Sequence, residues 1–540
     1  MSGGDRPLLT PGHTCWRVEE AARFAYIVDA ADYFAHVKAA MLRAQRRIIL
    51  IGWDFDTRMT FERGGKKLAG PNQFGAFLRW LVRRRERLEI CVLKANLGLV
   101  PGLQTLWRGV IPVALVNRLS SERLEFAVDG AHPTGAVHHQ KIVVVDDGVA
   151  FCGGIDLTVD RWDTSEHPDD GRLRRTAGRT YGPRHEVATA VDGAAARALA
   201  ELARNRWRTA TGQFLAPVEP GPNLWPGSLT PALRDVAVGI ARTQPALPPG
   251  SEAREVEALN LAAIAAARQT IYLENQYLAS RPIAEALAAR LQEPDGPEIV
   301  VILPRSSESP LERTSMDTAR HALLGLLWAA DEYDRLGVFW PVTDEGTPIY
   351  VHSKVMVIDD RLLRIGSSNL NNRSMGFDSE CDVAIEAVGD ARGAADVRAT
   401  IICLRNALVA EHLGVSASDL DEALSRCGSV LGAVRALHRD GRTLRLFTRE
   451  TIAGEAGPLA ENILMDPDRV PRSLASGVQR FLAGFRTNRP PSGYGPVMTA
   501  NDSGPQQDSS GTGEQQPEVP PANPAYSTPP PEGLPDADDE

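Results

Sequence analysis

Lysine is scarce in this 540-residue chain: only Lys38, Lys66, Lys67, Lys94, Lys141 and Lys354 are present, against 59 basic residues in all. No run of about 18 apolar residues occurs, which excludes a membrane-spanning helix. The first twenty residues hold no apolar core of signal-peptide length. A cytoplasmic or peripheral membrane location is therefore expected, with non-classical secretion as the alternative. Six cysteines (Cys15, Cys91, Cys152, Cys381, Cys403, Cys427) lack C-x-x-C spacing and read as free thiols, several inside apolar runs. Gly-rich phosphate loops of Walker or Rossmann type are absent, and no His/Cys/carboxylate run has zinc-site spacing. No cofactor is expected, and no metal in the chemistry.

A broad basic footprint is missing too. Net charge is −10, but residues 490–540 hold nine acids and no base, leaving 1–489 at −1. A near-neutral body argues against a nucleic-acid partner. That acidic tail also carries 12 prolines in 51 residues and is expected to be disordered. With 43% hydrophobic and 24% charged residues, the remainder is an ordinary globular composition, too long for a single core.

What is there is a duplication. Ala39–Arg47 reads as a helix end leading into a strand at Ile48–Trp53; Leu261–Gln269 leads into Ile271–Leu273 in the same order. LEICVL (88–93) is matched by EIVVIL (298–303), and VHHQKIVVVD (137–146) by YVHSKVMVID (350–359). The pattern predicts an α/β protein of two similar lobes, each a mainly β sheet flanked by helices. Expected boundaries are 1–214 and 251–418 for the lobes, 215–250 for a Pro-rich linker, 419–489 for a helical extension and 490–540 for the tail. Asp390–Leu413 and Asp419–His438 read as packing helices.

The third pair carries chemistry. Both members spell H-x-K-x-x-x-x-D, with His139, Lys141 and Asp146 in one and His352, Lys354 and Asp359 in the other. The same offset of 213 relates Gly153 to Gly366, Gly154 to Ser367 and Asp156 to Asn369. Residues two apart on a strand share a face, so each His is expected to project beside its Lys. Burying such a pair is costly unless an anion meets it. Ammonium groups hold phosphate, and an imidazole attacks phosphorus or passes a proton. Small residues at Gly154 and Ser367 would let backbone approach the same anion, and Asn369 adds an amide donor. His138 points to the opposite face; it, His13, His36, His167, His321 and His438 read as ordinary structural histidines.

These motifs resemble the paired H-K-D signature of the phospholipase D superfamily, over roughly Ala22 to Gly414. GGIDLTVDRWDT (153–164), RHEVA (184–188), IYLENQY (271–277), IGSSNLNNRSMGFDSE (365–380) and EHLG (411–414) are similar to the eukaryotic-type phospholipases D. The resemblance implies two facing α/β lobes with one active site at the seam, and a two-step phosphoryl transfer. It implies His139 as nucleophile, His352 as general acid/base, and Lys141, Lys354 and Asn369 on the phosphate oxygens. Asp146 and Asp359 would brace the backbone. Glu380 would accept a hydrogen bond from His352, and Glu186 from His139. The implied activity is hydrolysis of a phosphatidylcholine-like diester at a phospholipid membrane surface, with transphosphatidylation. A cardiolipin synthase-type phosphatidyltransferase, a nuclease or phosphodiesterase, and a non-enzymatic lipid binder are the alternatives. The Arg-rich, Lys-poor composition suggests a bacterial source.

Overall fold

The computed structural model describes residues 6–96, 121–246, 251–309, 312–389 and 393–452, with short pieces at 106–107, 111–112, 117 and 466–467. The acidic Pro-rich tail lies outside the described residues.

Valine- and isoleucine-rich runs form the strands, because β-branched side chains pack well on a pleated surface. In the first half these are β1 (Arg17–Val28), β2 (Arg47–Gly52), β3 (Glu89–Ala95), β4 (Leu124–Asp129), β5 (Ile142–Val145), β6 (Val149–Gly153) and β7 (Val187–Asp192). The second half has β8 (Leu233–Gln244), β9 (Thr270–Glu274), β10 (Glu298–Ile302), β11 (Leu336–Val342), β12 (Val355–Ile358), β13 (Leu362–Gly366) and β14 (Glu380–Glu386). A last strand, β15 (Thr443–Leu446), adds antiparallel to β11 at the edge. These fifteen lie in one sheet in the order β15-β11-β10-β9-β12-β13-β14-β8-β1-β7-β6-β5-β2-β3-β4, and the two-residue strand Ala253–Arg254, paired to the end of β8 off this path, makes it 16-stranded. Read outward from the β8–β1 junction, each strand of one half meets its counterpart seven numbers away in the other. The duplication seen in the sequence is thus a duplication of strand order.

Helices cover both faces. Gly193–Thr211 (α1) and Ala394–Leu413 (α2) place Leu199, Ala203 and Trp207 of one, and Ile401, Leu404 and Leu408 of the other, in one core shared by the two halves. Separate cores lie on the other face, around Phe34, Phe61 and Phe77 in the first half and Leu259, Leu287 and Leu324 in the second.

Several expectations shift. The Pro-rich stretch 215–250 is not a linker along its length, since it contains β8. Its prolines gather at the two ends, leaving 232–244 free to join the hydrogen-bond ladder as a central strand. The helices before β2 and β9 end at Met41 and Ala266, earlier than Arg47 and Gln269. In each case a carboxylate captures the next backbone donors. Asp146 accepts from the amides of Gln45, Arg46 and Arg47 at 2.6, 2.8 and 2.7 Å. Asp359 accepts from Arg268, Gln269 and Thr270 at 3.0, 2.7 and 2.9 Å. The helix expected over Asp419–His438 is two, Ala417–Cys427 and Val430–Ala436. Gly428 takes a left-handed φ of 66° between them, and the Ser429 hydroxyl then caps the second by accepting from the Gly432 amide at 2.7 Å. The region 419–489 is not wholly helical, because β15 lies in it.

Candidate active site

His139 and Lys141 were expected on a strand; the strand begins only at Ile142. Likewise His352 and Lys354 precede Val355, where β12 starts. Both motifs approach the shared sheet in extended form and dock against a segment of the opposite half. The His139 amide donates to the Ser379 carbonyl at 2.9 Å, and the His352 amide to the His185 carbonyl at 2.9 Å. Tyr350 and Val351 pair in parallel with Arg184 and His185, and His138 bridges Ser379 in parallel. The unpaired backbone ahead of each strand thereby finds partners, as buried backbone must.

This docking decides which carboxylate meets which imidazole. Glu380 follows Ser379 and receives His139: its two oxygens lie 3.1 Å from His139 Nδ1. Glu186 follows His185 and sits by His352, with Oε2 3.2 Å from Nδ1 but out of hydrogen-bond alignment. The expected pairing, Glu380 with His352 and Glu186 with His139, is reversed. The resemblance matched segments one to one, whereas the backbone crosses between halves.

The lysines are not equivalent. Lys141 Nζ lies 3.2 Å from Asp156 Oδ2 and donates to the His139 carbonyl at 3.0 Å. Lys354 Nζ donates to Gln276 Oε1 at 3.2 Å and to the His352 carbonyl at 2.5 Å. The difference follows from the 213-residue offset, which puts Asn369 where the first half has Asp156. Asn369 is fully buried, and neither polar atom of its amide has a hydrogen-bond partner. It is therefore available to a ligand.

Ser367 and Gly154 are placed differently from expectation. The Ser367 hydroxyl donates to Glu380 at 2.5 Å and its amide to Asp382 at 3.0 Å, so both donors are committed to protein. Ser374 donates to the other Glu380 oxygen at 2.6 Å. A Cβ on Gly154 would stand 3.2 Å from the His352 carbonyl and 3.3 Å from Lys354 Cδ. That glycine admits the second motif rather than an anion. Asp146 and Asp359 hold backbone amides at the strand ends, as described above.

Burial and charge set the protonation states. His139 is held well below the ordinary imidazole value by burial, then by Lys141 and Lys354. His352 is lowered by burial, Lys354, Arg161, Arg184 and Lys141. Each imidazole feels the lysine of the other motif, and Gly154, just past the first motif, abuts the His352 carbonyl and the Lys354 side chain, so the two motifs converge in space. Burial also depresses Lys354 strongly, against the pull of Glu186. It pushes Glu186 up to about 7, and Glu380 well above the usual carboxylate range despite its serine donors. Cationic groups gathered in low dielectric favour an incoming anion.

A cavity of about 510 Å³ is lined by Trp53, Arg161, Arg184, Arg305, Arg313 and Tyr350 among others, and Tyr350 is its link to the second motif. The Tyr350 ring centroid is 6.4 Å from that of His352. Arg161, Arg184 and Gln276 escaped the sequence reading as site residues. Only the GGID…RWDT, RHEVA and IYLENQY segments could have signalled them.

Two family models match the chain. One described as "Phospholipase D" covers 40–220 and 342–455, more than half of the residues. Another, "Cardiolipin synthase, PLD-like domain", covers 261–396. Among curated proteins, phospholipase D alpha 1 of Cynara cardunculus is 24% identical over 407 residues, covering 54% of this chain and 50% of the relative. Phospholipase D alpha 2 of Oryza sativa subsp. japonica is 23% identical over 513 residues, covering 70% and 63%. The chain therefore spans about half to two thirds of these relatives. A solved phosphatidylserine synthase of Haemophilus influenzae is similar at 13% identity, with a TM-score of 0.47, over 72% of this chain and 88% of that one. No described helix is long and apolar enough to cross a membrane. With both H-K-D segments brought to one buried cationic centre, and a family model matched on either side of it, the chain belongs to the phospholipase D family.

Proposed function

We propose that this protein is a phospholipase D acting on phosphatidylcholine-like diesters at a membrane surface, which it meets from outside. The observation that carries the proposal is the convergence of two H-x-K segments, each backed by a carboxylate from the other half. His139, neutral, attacks phosphorus through Nε2, while Nδ1 faces Glu380. The bond from phosphorus to the head-group oxygen breaks, and that oxygen takes a proton from His352. A phosphatidyl-histidine remains. Water then gives its proton to His352 and its oxygen to phosphorus, releasing phosphatidic acid and restoring His139. An alcohol in place of water gives transphosphatidylation.

His352 must enter protonated, although its surroundings hold it low. The bound diester supplies the opposing negative charge, which raises that imidazole in the complex. Lys141, Lys354 and the free Asn369 amide hold the non-bridging oxygens as charge builds in the transition state. Arg161 and Arg184 line the cavity on the side of His352, where the head group leaves.

Product analysis on a phospholipid panel with added ethanol tests the proposal. Phosphatidic acid and phosphatidylethanol are expected from the wild type, and neither from His139→Ala or His352→Ala. No phosphatidyl product from any phospholipid would end it. The cardiolipin synthase-type model over 261–396 favours a second reading, a phosphatidyltransferase. Conversion of labelled phosphatidylglycerol to cardiolipin as the main product would make that the better one.

A further inference from the structure

Behind the second motif lies a buried cluster that the phosphoryl chemistry does not use. Asp29 follows β1, His167 lies in the loop before β7, His185 precedes Glu186, and Glu411 sits in the last turn of α2. Each offers one ligand atom, and all four atoms lie within 4.8 Å of one another. We propose that these four side chains form a tetrahedral site for one zinc-type divalent ion, which clamps the segment carrying Glu186.

The spacings fit such a site. Bonds of about 2.0–2.1 Å to nitrogen and oxygen give a tetrahedron with edges of about 3.3 Å. Glu411 Oε1 is 2.8 Å from His185 Nδ1 and 3.2 Å from His167 Nε2. Asp29 Oδ1 is 3.3 Å from His185 Nδ1, and Oδ2 is 3.9 Å from His167 Nε2. Asp29 Oδ2 is buried and without a hydrogen-bond partner, which points to a missing ligand rather than a completed network.

The outer arrangement matches as well. A metal-bound imidazole normally donates its remote N–H to a carboxylate, which fixes its tautomer. His167 Nδ1 faces Asp163 Oδ2 at 2.9 Å, and His185 Nε2 faces Glu274 Oε2 at 3.0 Å. Those two carboxylates are themselves held. Arg174 donates to Asp163 at 3.1 Å; Tyr272, Ser353 and His412 meet Glu274 at 2.6, 2.7 and 3.0 Å.

The competing state is metal-free, with both imidazoles protonated. A divalent ion with two neutral imidazoles carries the same charge as two imidazoliums, so ion and protons exchange without upsetting the electrostatics. Two imidazoliums, however, leave Asp29 Oδ2 without a hydrogen bond, the His167 nitrogen being 3.9 Å away. The site's position gives it a consequence. The His185 carbonyl receives the His352 amide and the Glu186 amide donates to Asp29 Oδ1 at 3.1 Å, so the cluster positions the second motif. Sequence spacing concealed it, because the ligands come from four distant segments.

The test uses the untagged full chain. Elemental analysis after purification, and titration of the chelator-stripped protein with Zn²⁺ alone, should give one tightly held equivalent. Co²⁺ in its place should show the strong visible bands of tetrahedral coordination. Chelation should lower the melting temperature and zinc restore it. Asp29→Asn and His167→Gln should abolish uptake, and Asp163→Asn, an outer residue, should weaken it about 10–100-fold. Should His167→Gln not fold, the isosteric Asp29→Asn and Asp163→Asn decide. Absence of stoichiometric uptake, octahedral cobalt spectra, or full uptake by Asp29→Asn would each overturn the proposal.

Discussion

Glu380 holds the imidazole of His139 from 241 residues away, both carboxylate oxygens at 3.1 Å from Nδ1. The corresponding carboxylate of the first half, Glu186, serves His352 instead. Neither motif histidine meets its carboxylate within its own half, so neither half completes the site alone. The two halves are tied by these crossed contacts as well as by the continuous sheet.

Crossed pairing has a spectroscopic consequence. In histidine-labelled protein, Glu380→Gln should shift the ring resonances of His139 and leave those of His352 nearly in place; Glu186→Gln should do the reverse. A shift of His352 on changing Glu380 would return the pairing to the one expected from sequence. Activity should fall about 10²–10⁴-fold in Glu380→Gln, through loss of the orienting carboxylate.

The nucleophile should survive in acid. Only neutral His139 attacks, and burial with Lys141 and Lys354 lowers its pKa, so protonation sets in at lower pH than for a free imidazole. The acidic limb of kcat/KM, which reports the free protein, should lie below about pH 6.5. A limb at or above that value would show that the lysines do not act on His139 as described.

Lys354 is a buried ammonium lacking the carboxylate contact that Lys141 has in Asp156. Its depressed pKa means that the folded state binds that proton less well than the unfolded chain does. Its cost to stability is thus complete only below the depressed folded value, where both states hold the proton, and declines to nothing as pH rises from the folded to the unfolded value. Lys354→Met should stabilise by about 1–2 kcal/mol near neutral pH while abolishing turnover. Urea unfolding beside an activity assay checks both; a less stable variant would contradict the assignment.

Asn369 should matter to substrate and not to folding. Its side-chain amide makes no hydrogen bond in the free protein, so Asn369→Ala should change the unfolding free energy by no more than about 1 kcal/mol while lowering kcat/KM at least tenfold. A large loss of stability with normal kinetics would reverse the reading.

Asp146 and Asp359 should behave oppositely. Each carboxylate caps three backbone amides, so Asp146→Asn or Asp359→Asn should cost about 2 kcal/mol in urea unfolding. Activity per folded molecule should fall far less than for His139→Ala. A loss as severe as His139→Ala in a stable variant would place the aspartates in the chemistry.

Residue order by itself determined the duplication, the strand runs, and the paired His and Lys. These are local properties: β-branched periodicity, and a spelling repeated at constant offset. It also placed Asp146 and Asp359 at strand ends. Contacts between segments far apart in the chain were decided only by the tertiary structure. It put β8 in the middle of a Pro-rich stretch, crossed Glu186 and Glu380, turned Ser367 toward Glu380, and gathered Asp29, His167, His185 and Glu411 from four segments. The reason is physical: a strand signals itself through its neighbours in sequence, whereas the partner of a buried charge is whichever group the packed chain brings within a few ångströms.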